Sequence, residues 1–565
     1  MVSRDSCIHS FLFLFSSCRI HFLFSTLTPM DSSPEQPRKR KHKLPPKSFF
    51  LYFSFFLFIF FFCSSHHSFY SHPSTLTPPI PLHVHHRILF PDHLLLSLSN
   101  TKILPSHQLH CVYYHTFLNA SPNPLLLPLL STDRYDEFRS IARCPLPATN
   151  FSAVDLTWRS QHHHRDLQFP VSATPHNWEK LAYEAFLDND TVVVFVKGLN
   201  LRPHRVSDAT LFRCHFGLPN GAFWLTSKAV SAAQEVVRCA LPQSIRNSPD
   251  KGRGISVSVS HVRGEGVFPS VARIGGCEKT VRLKEKMFEL CACTMVRNQA
   301  RAMREWVMYH AWVGVERWFI YDNNSDDEID EVVRELEGQG YNISRVTWPW
   351  VKSQEAGFSH CVLRAKEECK WVGFFDVDEF FYFNQMQRNL LRSIVANFSS
   401  WNSVAEIRTG CHNFGPSGLT THPKRGVGVG YTCRLRTPER HKSIVRPDLV
   451  DVSLLNVVHH FQLREGFESR NVPLSVAVIN HYKYQVWETF KAKFFRRVAT
   501  YVVDWKEDVN IGSKDRAPGL GTQAIEPLDW KFRFCELWDT RLRDFLLSNF
   551  THPLTGLLPW ETSSQ

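Results

Sequence analysis

Glycine is scarce in this chain, with 25 among 565 residues. That scarcity excludes a collagen-like protein, in which glycine is every third residue. Cys-x-x-Cys pairs are absent, and Cys291 and Cys293 stand too close together for a usual zinc knuckle. The 45 phenylalanines and 15 tryptophans are abundant by contrast, so the chain can build a sizeable core. Its length predicts two or three domains of ~150 residues.

Acidic residues are outnumbered by basic ones, 53 against 65, and the net charge is +12. A basic balance of this size favours an anionic partner. Nucleic acid, a membrane surface and a phosphate-bearing substrate all fit, and the charge alone does not choose among them.

Charged residues are missing altogether from 48–65, a run of 18 residues rich in phenylalanine. About 20 apolar residues cross a bilayer, and a basic segment at 38–43 precedes this run. We predict a membrane anchor over 48–65, with 1–47 cytosolic and the rest translocated. A cleaved signal peptide is the alternative, but no small-residue cleavage site follows Phe62. A single, short, aromatic span is typical of a type II Golgi protein.

Residues 1–29 contain a second apolar patch, and Met30 then opens a conventional polar head. We interpret 1–29 as an upstream extension of the reading frame, with a targeting peptide as the alternative.

Cysteine usage agrees with translocation. Twelve cysteines follow the predicted anchor, an even number that predicts disulfides in an oxidising lumen. Their connectivity cannot be read from the sequence. Seven N-glycosylation sequons weakly support a lumenal location for this part of the chain: Asn119, Asn150, Asn189, Asn323, Asn342, Asn397 and Asn549.

The composition and the hydrophobic pattern of the part predicted to be translocated change twice along the chain. Residues 66–130 are rich in proline, histidine, serine and leucine without a sustained period, which predicts a stem. Short apolar runs separated by turns then predict an all-β, sandwich-like module over 131–280, with strands near 191–196, 211–216, 235–241 and 255–259. The histidines of both segments are interpreted as solvated residues rather than metal ligands.

From residue 288 the pattern alternates between strands and helices. We predict strands over 288–295, 317–321, 343–346 and 371–375, with helices over 300–313, 325–338 and 357–368 between them. A capping box over 325–328 is expected to open the second helix. This alternation predicts an α/β fold with a parallel sheet, whose sites lie at the carboxyl ends of the strands.

Polar side chains follow three of these strands: Arg297 and Asn298, then Asp322, then Asp376, Asp378 and Glu379. Positions i and i+2 of a strand share one face, so Asp376 and Asp378 are expected to converge. Two carboxylates beside phosphate oxygens suit Mg²⁺ or Mn²⁺. A structural acidic turn is the alternative interpretation.

A series of motifs resembles glycosyltransferase family 92 over roughly 285–510. The motifs are Met-Val-Arg-Asn at 295–298, Glu-Trp at 305–306, Tyr-His at 309–310, Tyr-Asp-Asn-Asn-Ser at 321–325, Phe-Phe-Asp-Val-Asp-Glu-Phe at 374–380, Arg-His-Lys-Ser-Ile-Val-Arg-Pro at 440–447 and Asn-His-Tyr at 480–482. With a β-rich module ahead of it, the chain looks like the plant galactan synthase branch.

The resemblance implies a GT-A, Rossmann-like glycosyltransferase domain over 285–555 that moves a sugar from a nucleotide donor, with UDP-galactose suggested. It implies that Asp376, Asp378 and His481 hold Mn²⁺ or Mg²⁺. It also implies that Asp322 faces the donor base, and that Arg297 and Asn298 line the nucleotide pocket.

Cations near the leaving diphosphate would lower the barrier to transfer. One basic group contains Arg440, Lys442 and Arg446, and a second contains Lys491, Lys493, Arg496 and Arg497. A solvated basic face remains the alternative for the second group.

An inverting transferase needs a general base on the acceptor hydroxyl. Glu439, Asp448 and Glu379 are candidates, and we choose Glu439 because it adjoins the first basic group.

The sequence therefore predicts a membrane-anchored, metal-dependent, inverting glycosyltransferase acting on a cell-wall polysaccharide or another glycan. A membrane-anchored, non-catalytic carbohydrate-binding protein is the alternative. Nucleic acid is not expected as a partner, because much of the basic excess lies beside the anchor.

Overall fold

The computed structural model describes residues 82–99, 103–114, 124–159, 174–218, 222–247, 254–264, 266–275, 286–498 and 525–561. The predicted anchor over 48–65 lies outside these residues. No helix within the described ranges is long and apolar enough to span a bilayer.

Among the described residues before 286, the chain forms strands, two 3-10 turns and one short α-helix, α1, at Gln243–Arg246. The strands are β1 Val84–Leu89, β2 His93–Leu98, β3 Leu109–Tyr114, β4 Leu125–Pro128, β5 Ser131–Arg134, β6 Ser140–Pro145, β7 Ala153–Trp158, β8 His176–Asn177, β9 Leu181–Asp188, β10 Thr191–Lys197, β11 Phe212–Gly217, β12 Phe223–Ala233, β13 Val236–Ala240 and β14 Ser256–His261.

These strands form three sheets. Their orders are β5-β6-β2-β1-β8, β4-β3-β7 and β14-β11-β12-β13-β10-β9. Nearly all neighbours run antiparallel, with β1 and β8 as the parallel pair. The strands expected near 191–196, 211–216, 235–241 and 255–259 are present as β10, β11, β13 and β14.

The predicted stem is wrong where the structure describes it, at 82–99, 103–114 and 124–130, because these segments contain β1 to β4. Strand β2 pairs antiparallel with β6, so the β-rich region begins before residue 131. Every residue of β2 is buried. A strand buried on both faces has no alternation of apolar and polar residues, so its period of two is invisible in the sequence.

A larger, mixed sheet follows from residue 288. Its helices and those around it are α2 Ala300–Val313, α3 Ile329–Gly338, α4 Gln354–Glu368, α5 Leu390–Ser399, α6 Val427–Gly430, α7 Trp487–Val498 and α8 Arg541–Asn549. The strands of this part are β15 Phe288–Val296, β16 Arg317–Asp322, β17 Ile343–Thr347, β18 Cys369–Phe374, β19 Glu379–Phe383, β20 Val404–Asn413, β21 Cys433–Arg434, β22 His441–Val445, β23 Asn456–Val457, β24 His460–Phe461, β25 Glu468–Asn471, β26 Ala477–His481 and β27 Leu537–Trp538.

The sheet has the order β17-β16-β15-β18-β22-β20-β26-β19, with β25 paired to β20. Strands β15 to β18 run parallel to one another, as their alternation with helices predicts. Their carboxyl ends therefore meet at one edge, while β22 runs antiparallel to β18.

Strand β16 shows how the two faces of this sheet are covered. Trp318 and Ile320 pack with α2 and α3 in one apolar cluster. Phe319 and Tyr321 point to the other face and pack with α4 and with the β-rich region, including Tyr183. The β-rich region thus packs against the mixed sheet through a shared apolar core.

The prediction that cysteines pair is confirmed in the described residues. Five disulfides are present, and Cys411 is a buried free thiol. The pairs are Cys111–Cys144, Cys214–Cys239, Cys291–Cys369, Cys293–Cys361 and Cys433–Cys535.

Candidate active site

Three acidic residues lie just beyond the carboxyl end of β18, at the edge where the parallel strands end. Asp376 and Asp378 sit in the turn between β18 and β19, and Glu379 begins β19. The expectation that Asp376 and Asp378 share a strand face is therefore wrong, because β18 ends at Phe374. The turn is fixed by the Tyr482 backbone N–H, which donates to the Asp378 carbonyl at 2.8 Å.

His481 reaches this turn through strand pairing. Strands β19 and β26 are antiparallel, and their register places Glu379 opposite His481. Nε2 of His481 lies 3.8 Å from an Asp378 oxygen and 3.6 Å from a Glu379 oxygen. The ligand atoms of all three residues lie within 4.8 Å of one another.

This set differs from the predicted one by a single residue. Asp378 and His481 come together as predicted, and Glu379 takes the place expected for Asp376. The Asp376 carboxylate instead accepts a hydrogen bond from Nζ of Lys442 at 2.9 Å, with Nε2 of His459 3.6 Å away. Asp376 remains beside the site rather than within the three-residue set.

Two lysines balance the acidic charge. Lys442, on β22, also lies 2.8 Å from a Glu379 oxygen. Lys493, on α7, donates to Asp378 at 2.6 Å. Lys442 and Lys493 therefore face the acidic turn, whereas Lys491 Nζ lies over the Phe495 ring and the Arg446 guanidinium over the Trp371 ring.

Burial sets the protonation of this cluster. It raises the pKa of Glu379 to about 8, against the opposing charge of Lys442. Burial also lowers the pKa of His481 to about 3, so its imidazole is neutral and able to bind a metal. For Asp376, burial opposes ionisation, but Lys442 and His459 outweigh it and the pKa is lowered.

Asp378, Glu379 and His481 fit a divalent cation. Two carboxylate oxygens and one neutral imidazole nitrogen within a few ångströms form a donor set that suits Mn²⁺. Glu379 is fully buried, and its raised pKa favours the protonated form near neutral pH, so a cation that bound there would displace that proton.

The residues predicted to line the nucleotide pocket lie at the ends of β15 and β16. The backbone N–H of Asn298 donates to Oγ of Ser325 at 3.0 Å, and Asn298 Oδ1 accepts from the Asp326 N–H at 2.9 Å. Arg297 precedes Asn298 at the same edge and is partly exposed. These bonds tie the loop after β15 to the loop after β16.

The predicted capping box over 325–328 is wrong. Helix α3 begins at Ile329, and its N-cap residue, Glu328, makes no capping hydrogen bond through its side chain. The Ser325 hydroxyl is used instead by Asn298, because a long-range partner competes with a local cap.

Asp322 is 2% exposed and is engaged by protein groups on both oxygens. Oδ1 accepts from the Ser325 N–H at 3.0 Å, and Oδ2 accepts from Nε of Arg345 at 2.8 Å. The Asp322 carboxylate thus stabilises the loop after β16 through hydrogen bonds to protein groups. This loop lies at the edge of the sheet where the donor base is predicted to bind.

We expect the Asn323 sequon to carry no glycan. Its Nδ2, the atom that glycosylation modifies, donates to the carbonyls of Trp348 and Trp350 at 2.8 and 2.9 Å. Glycosylation replaces one of the two hydrogens on Nδ2, so it would remove at least one of these bonds and crowd the loop beside Asp322. Glycopeptide mass spectrometry should find this site empty while some of the other six sequons are occupied. High occupancy at Asn323 in active enzyme would contradict the placement of this loop.

Glu439 is linked to the acidic turn through Asn413 and His481. Its carboxylate accepts from Nδ2 of Asn413 at 2.6 Å, and Asn413 pairs with His481 between β20 and β26. The Glu439 side chain is 48% exposed and can meet a substrate. Arg440 follows it in a left-handed conformation, just before β22.

Asp448 lies away from this region. It follows the end of β22, and β22 is antiparallel to β18, so Asp448 sits towards the opposite edge, paired with Lys286. Sequence reasoning missed His459, which stands in no recognisable motif. It weighed Glu379 as a base and Lys493 as a cation, but their common contact with Asp378 and its neighbours required the tertiary structure.

Known proteins are similar to this chain over most of its length. The profile of glycosyltransferase family 92 matches residues 286–532. A family 92 protein of Ricinus communis is 56% identical over 504 residues, covering 86% of each chain. One from Arabidopsis thaliana is 55% identical over 499 residues, again covering 86% of each.

The chain belongs to glycosyltransferase family 92. It is a glycosyltransferase, as the motif series predicts. A rice relative in the same family is 46% identical over 498 residues, covering 85% of this chain and 82% of its own.

Among solved structures, a mannosyltransferase of Pyrobaculum calidifontis in complex with GDP-Man and Mn²⁺ is 11% identical. The match covers 38% of this chain and 62% of that one, with a TM-score of 0.25. That score is too low to establish a shared fold, and it carries no argument about this family 92 chain.

Proposed function

We propose that this family 92 enzyme transfers a sugar from a nucleotide donor to a glycan in a metal-dependent reaction within a GT-A fold. The observation that carries the proposal is the cluster of Asp378, Glu379 and His481, two of them buried, at the carboxyl edge of parallel strands. This edge is where α/β sheets bind their ligands.

The residues around the set have distinct proposed roles. Asp378, Glu379 and His481 would hold Mn²⁺ or Mg²⁺, which would supply charge compensation for the donor diphosphate. Lys442 and Lys493 would add positive charge beside that diphosphate. The donor pocket is proposed to be lined by five further residues: Arg297, Asn298, Asp322, Asp376 and Arg440.

Glu439 is proposed as the general base. Its partly exposed carboxylate would accept the proton of the attacking acceptor hydroxyl, so that the sugar is transferred with inversion. Its hydrogen bond from Asn413 would orient the carboxylate towards the acceptor without neutralising it.

UDP-galactose is the proposed donor and a cell-wall polysaccharide or another glycan the proposed acceptor, following the likeness to plant galactan synthases. Incubating the full-length protein with Mn²⁺ and a panel of UDP-sugars tests the donor, with release of UDP as the readout. If the protein consumes a different UDP-sugar, that sugar is the donor in place of UDP-galactose. If it consumes no UDP-sugar, the proposal is contradicted.

We propose further that the enzyme is a single-pass type II protein of the Golgi membrane with its catalytic part in the lumen. The uncharged run over 48–65 and the basic residues before it support this topology. Protease treatment of sealed microsomes should spare the carboxyl-terminal part. Its digestion without detergent would contradict the topology.

A further inference from the structure

We propose that Asp133, in the β-rich region, is a positioning residue for donor binding that acts through Arg345 on the loops after β15 and β16. The inference rests on the proposed function, in which these loops hold the nucleotide. Asp133 itself is not expected to touch the donor.

Arg345 bridges two carboxylates that are far apart in the sequence. Its Nη1 and Nη2 donate to the two oxygens of Asp133, on β5, at 2.9 and 2.7 Å. Its Nε and Nη2 donate to Oδ2 of Asp322 at 2.8 and 2.6 Å. The side chains of Arg345 and Asp133 are 15% and 13% exposed, so this two-pronged pairing is only weakly screened by water.

The bridge ends on the loops of the donor edge. Asp322 fixes the Ser325 backbone, and the Ser325 hydroxyl accepts from the Asn298 N–H. Asn298 and Asn324 both have left-handed backbones, with φ of 55° and 61°. Such conformations persist only where surrounding contacts hold them.

A second contact from the β-rich region supports the same loop. Arg143, on β6, donates from Nε and Nη2 to Oδ1 of Asn324 at 3.2 and 3.0 Å. Asn324 in turn donates to the Pro349 carbonyl at 2.9 Å. Two adjacent strands of the β-rich region therefore hold the loop from its outer side.

Losing the Asp133 charge would leave Arg345 paired with Asp322 and with Asp330, which is 3.5 Å away and 52% exposed and is therefore the weaker partner. The guanidinium could then shift, and Asp322 with it, so the loops would lose part of their preorganisation. Weaker donor binding is the expected consequence, with little change in the chemical step once the donor is bound.

The chain offers a matched control in Asp188, at the end of β9. It also joins the β-rich region to the catalytic sheet, through Lys366 on α4 at 2.7 Å, and it is 10% exposed. It also pairs with Arg238 at 2.6 Å. Because α4 leads directly into the start of β18, this contact lies at the edge opposite the candidate site.

The test is calorimetric titration of UDP with Mn²⁺ into full-length wild type, Asp133→Asn and Asp188→Asn. Asp133→Asn should raise the UDP dissociation constant and the donor KM about tenfold, the size typical of residues that act without touching the ligand. Asp188→Asn should leave both at the wild-type value. Arg345→Lys keeps the charge but cannot bridge two carboxylates, and it should reproduce the effect if Asp133→Asn folds poorly.

A double-mutant cycle separates positioning from general destabilisation. Combining Asp133→Asn with Asp322→Asn should weaken UDP binding little beyond Asp322→Asn alone, because both act through one bridge. If folded Asp133→Asn and Arg345→Lys bind UDP with wild-type affinity, this inference is overturned and the proposed function stands. The same follows if Asp188→Asn weakens UDP binding as much as Asp133→Asn does. Absence of UDP binding by the wild type would overturn the proposed function and the inference with it.

Discussion

Replacing Asp378 with asparagine should lower the turnover number by ~10²–10³-fold, the usual cost of losing one strong electrostatic contact in a transition state. Asparagine keeps the size of the side chain and one oxygen but loses the charge that a divalent cation requires. The fold should survive, because the lost charge leaves a cluster that retains two other carboxylates and two lysines.

The measurement is the steady-state rate of UDP release at saturating donor. Asp190→Asn is a suitable control, since its carboxylate is 67% exposed in the β-rich region. His481→Ala should reduce the rate similarly and raise the Mn²⁺ concentration needed. Excess EDTA should abolish wild-type turnover, and Mn²⁺ should restore it. Full activity of Asp378→Asn, or of wild type in EDTA, would contradict the metal-dependent mechanism.

Removing the Cys291–Cys369 disulfide should cost about 3 kcal/mol of unfolding free energy. The bridge spans 78 residues of sequence, but Cys293–Cys361 already closes 68 of them, so the loop that it closes in the unfolded chain is about ten residues long. It also joins the neighbouring strands β15 and β18, whose ends carry the candidate site.

The double variant Cys291→Ala/Cys369→Ala should show this loss in urea unfolding. Cys411→Ala, which removes a buried thiol that forms no disulfide, is the control for lost packing and should cost clearly less. Equal losses in the two proteins would show that the disulfide adds nothing beyond the burial of its sulfur atoms.

Local patterns were sufficient for the elements that lead to the site. The helix at Ala300–Val313 and the parallel strands from β15 to β18 can be predicted from the spacing of apolar residues and from the residues that end each element. This works because each element buries either one face or both faces, and the spacing of its apolar residues reflects that. Polar residues directly after those strands then mark the functional edge, since parallel strands end together. Strand β2 was missed for a related reason, because full burial removes the alternation that identifies a strand.

The membership of the candidate metal set needed more than the motif. A strand would have placed Asp376 and Asp378 on one face, but β18 ends at Phe374 and the acids occupy a turn. The register of β19 against β26 then brings Glu379 opposite His481. Register between strands distant in sequence depends on the packing of the whole sheet, which no local pattern encodes.

The sequence by itself determined the family, the alternating strands and helices, and the edge at which Arg297, Asp322 and Asp378 gather. Only the tertiary structure decided which carboxylates share His481 and which lysines face them. It also decided that Asp133 supports Asp322 through Arg345, across 212 positions of sequence. The reason is physical: local conformation follows from neighbouring residues, whereas the partner of a buried charge is set by whichever distant side chain the packed core brings within hydrogen-bonding distance.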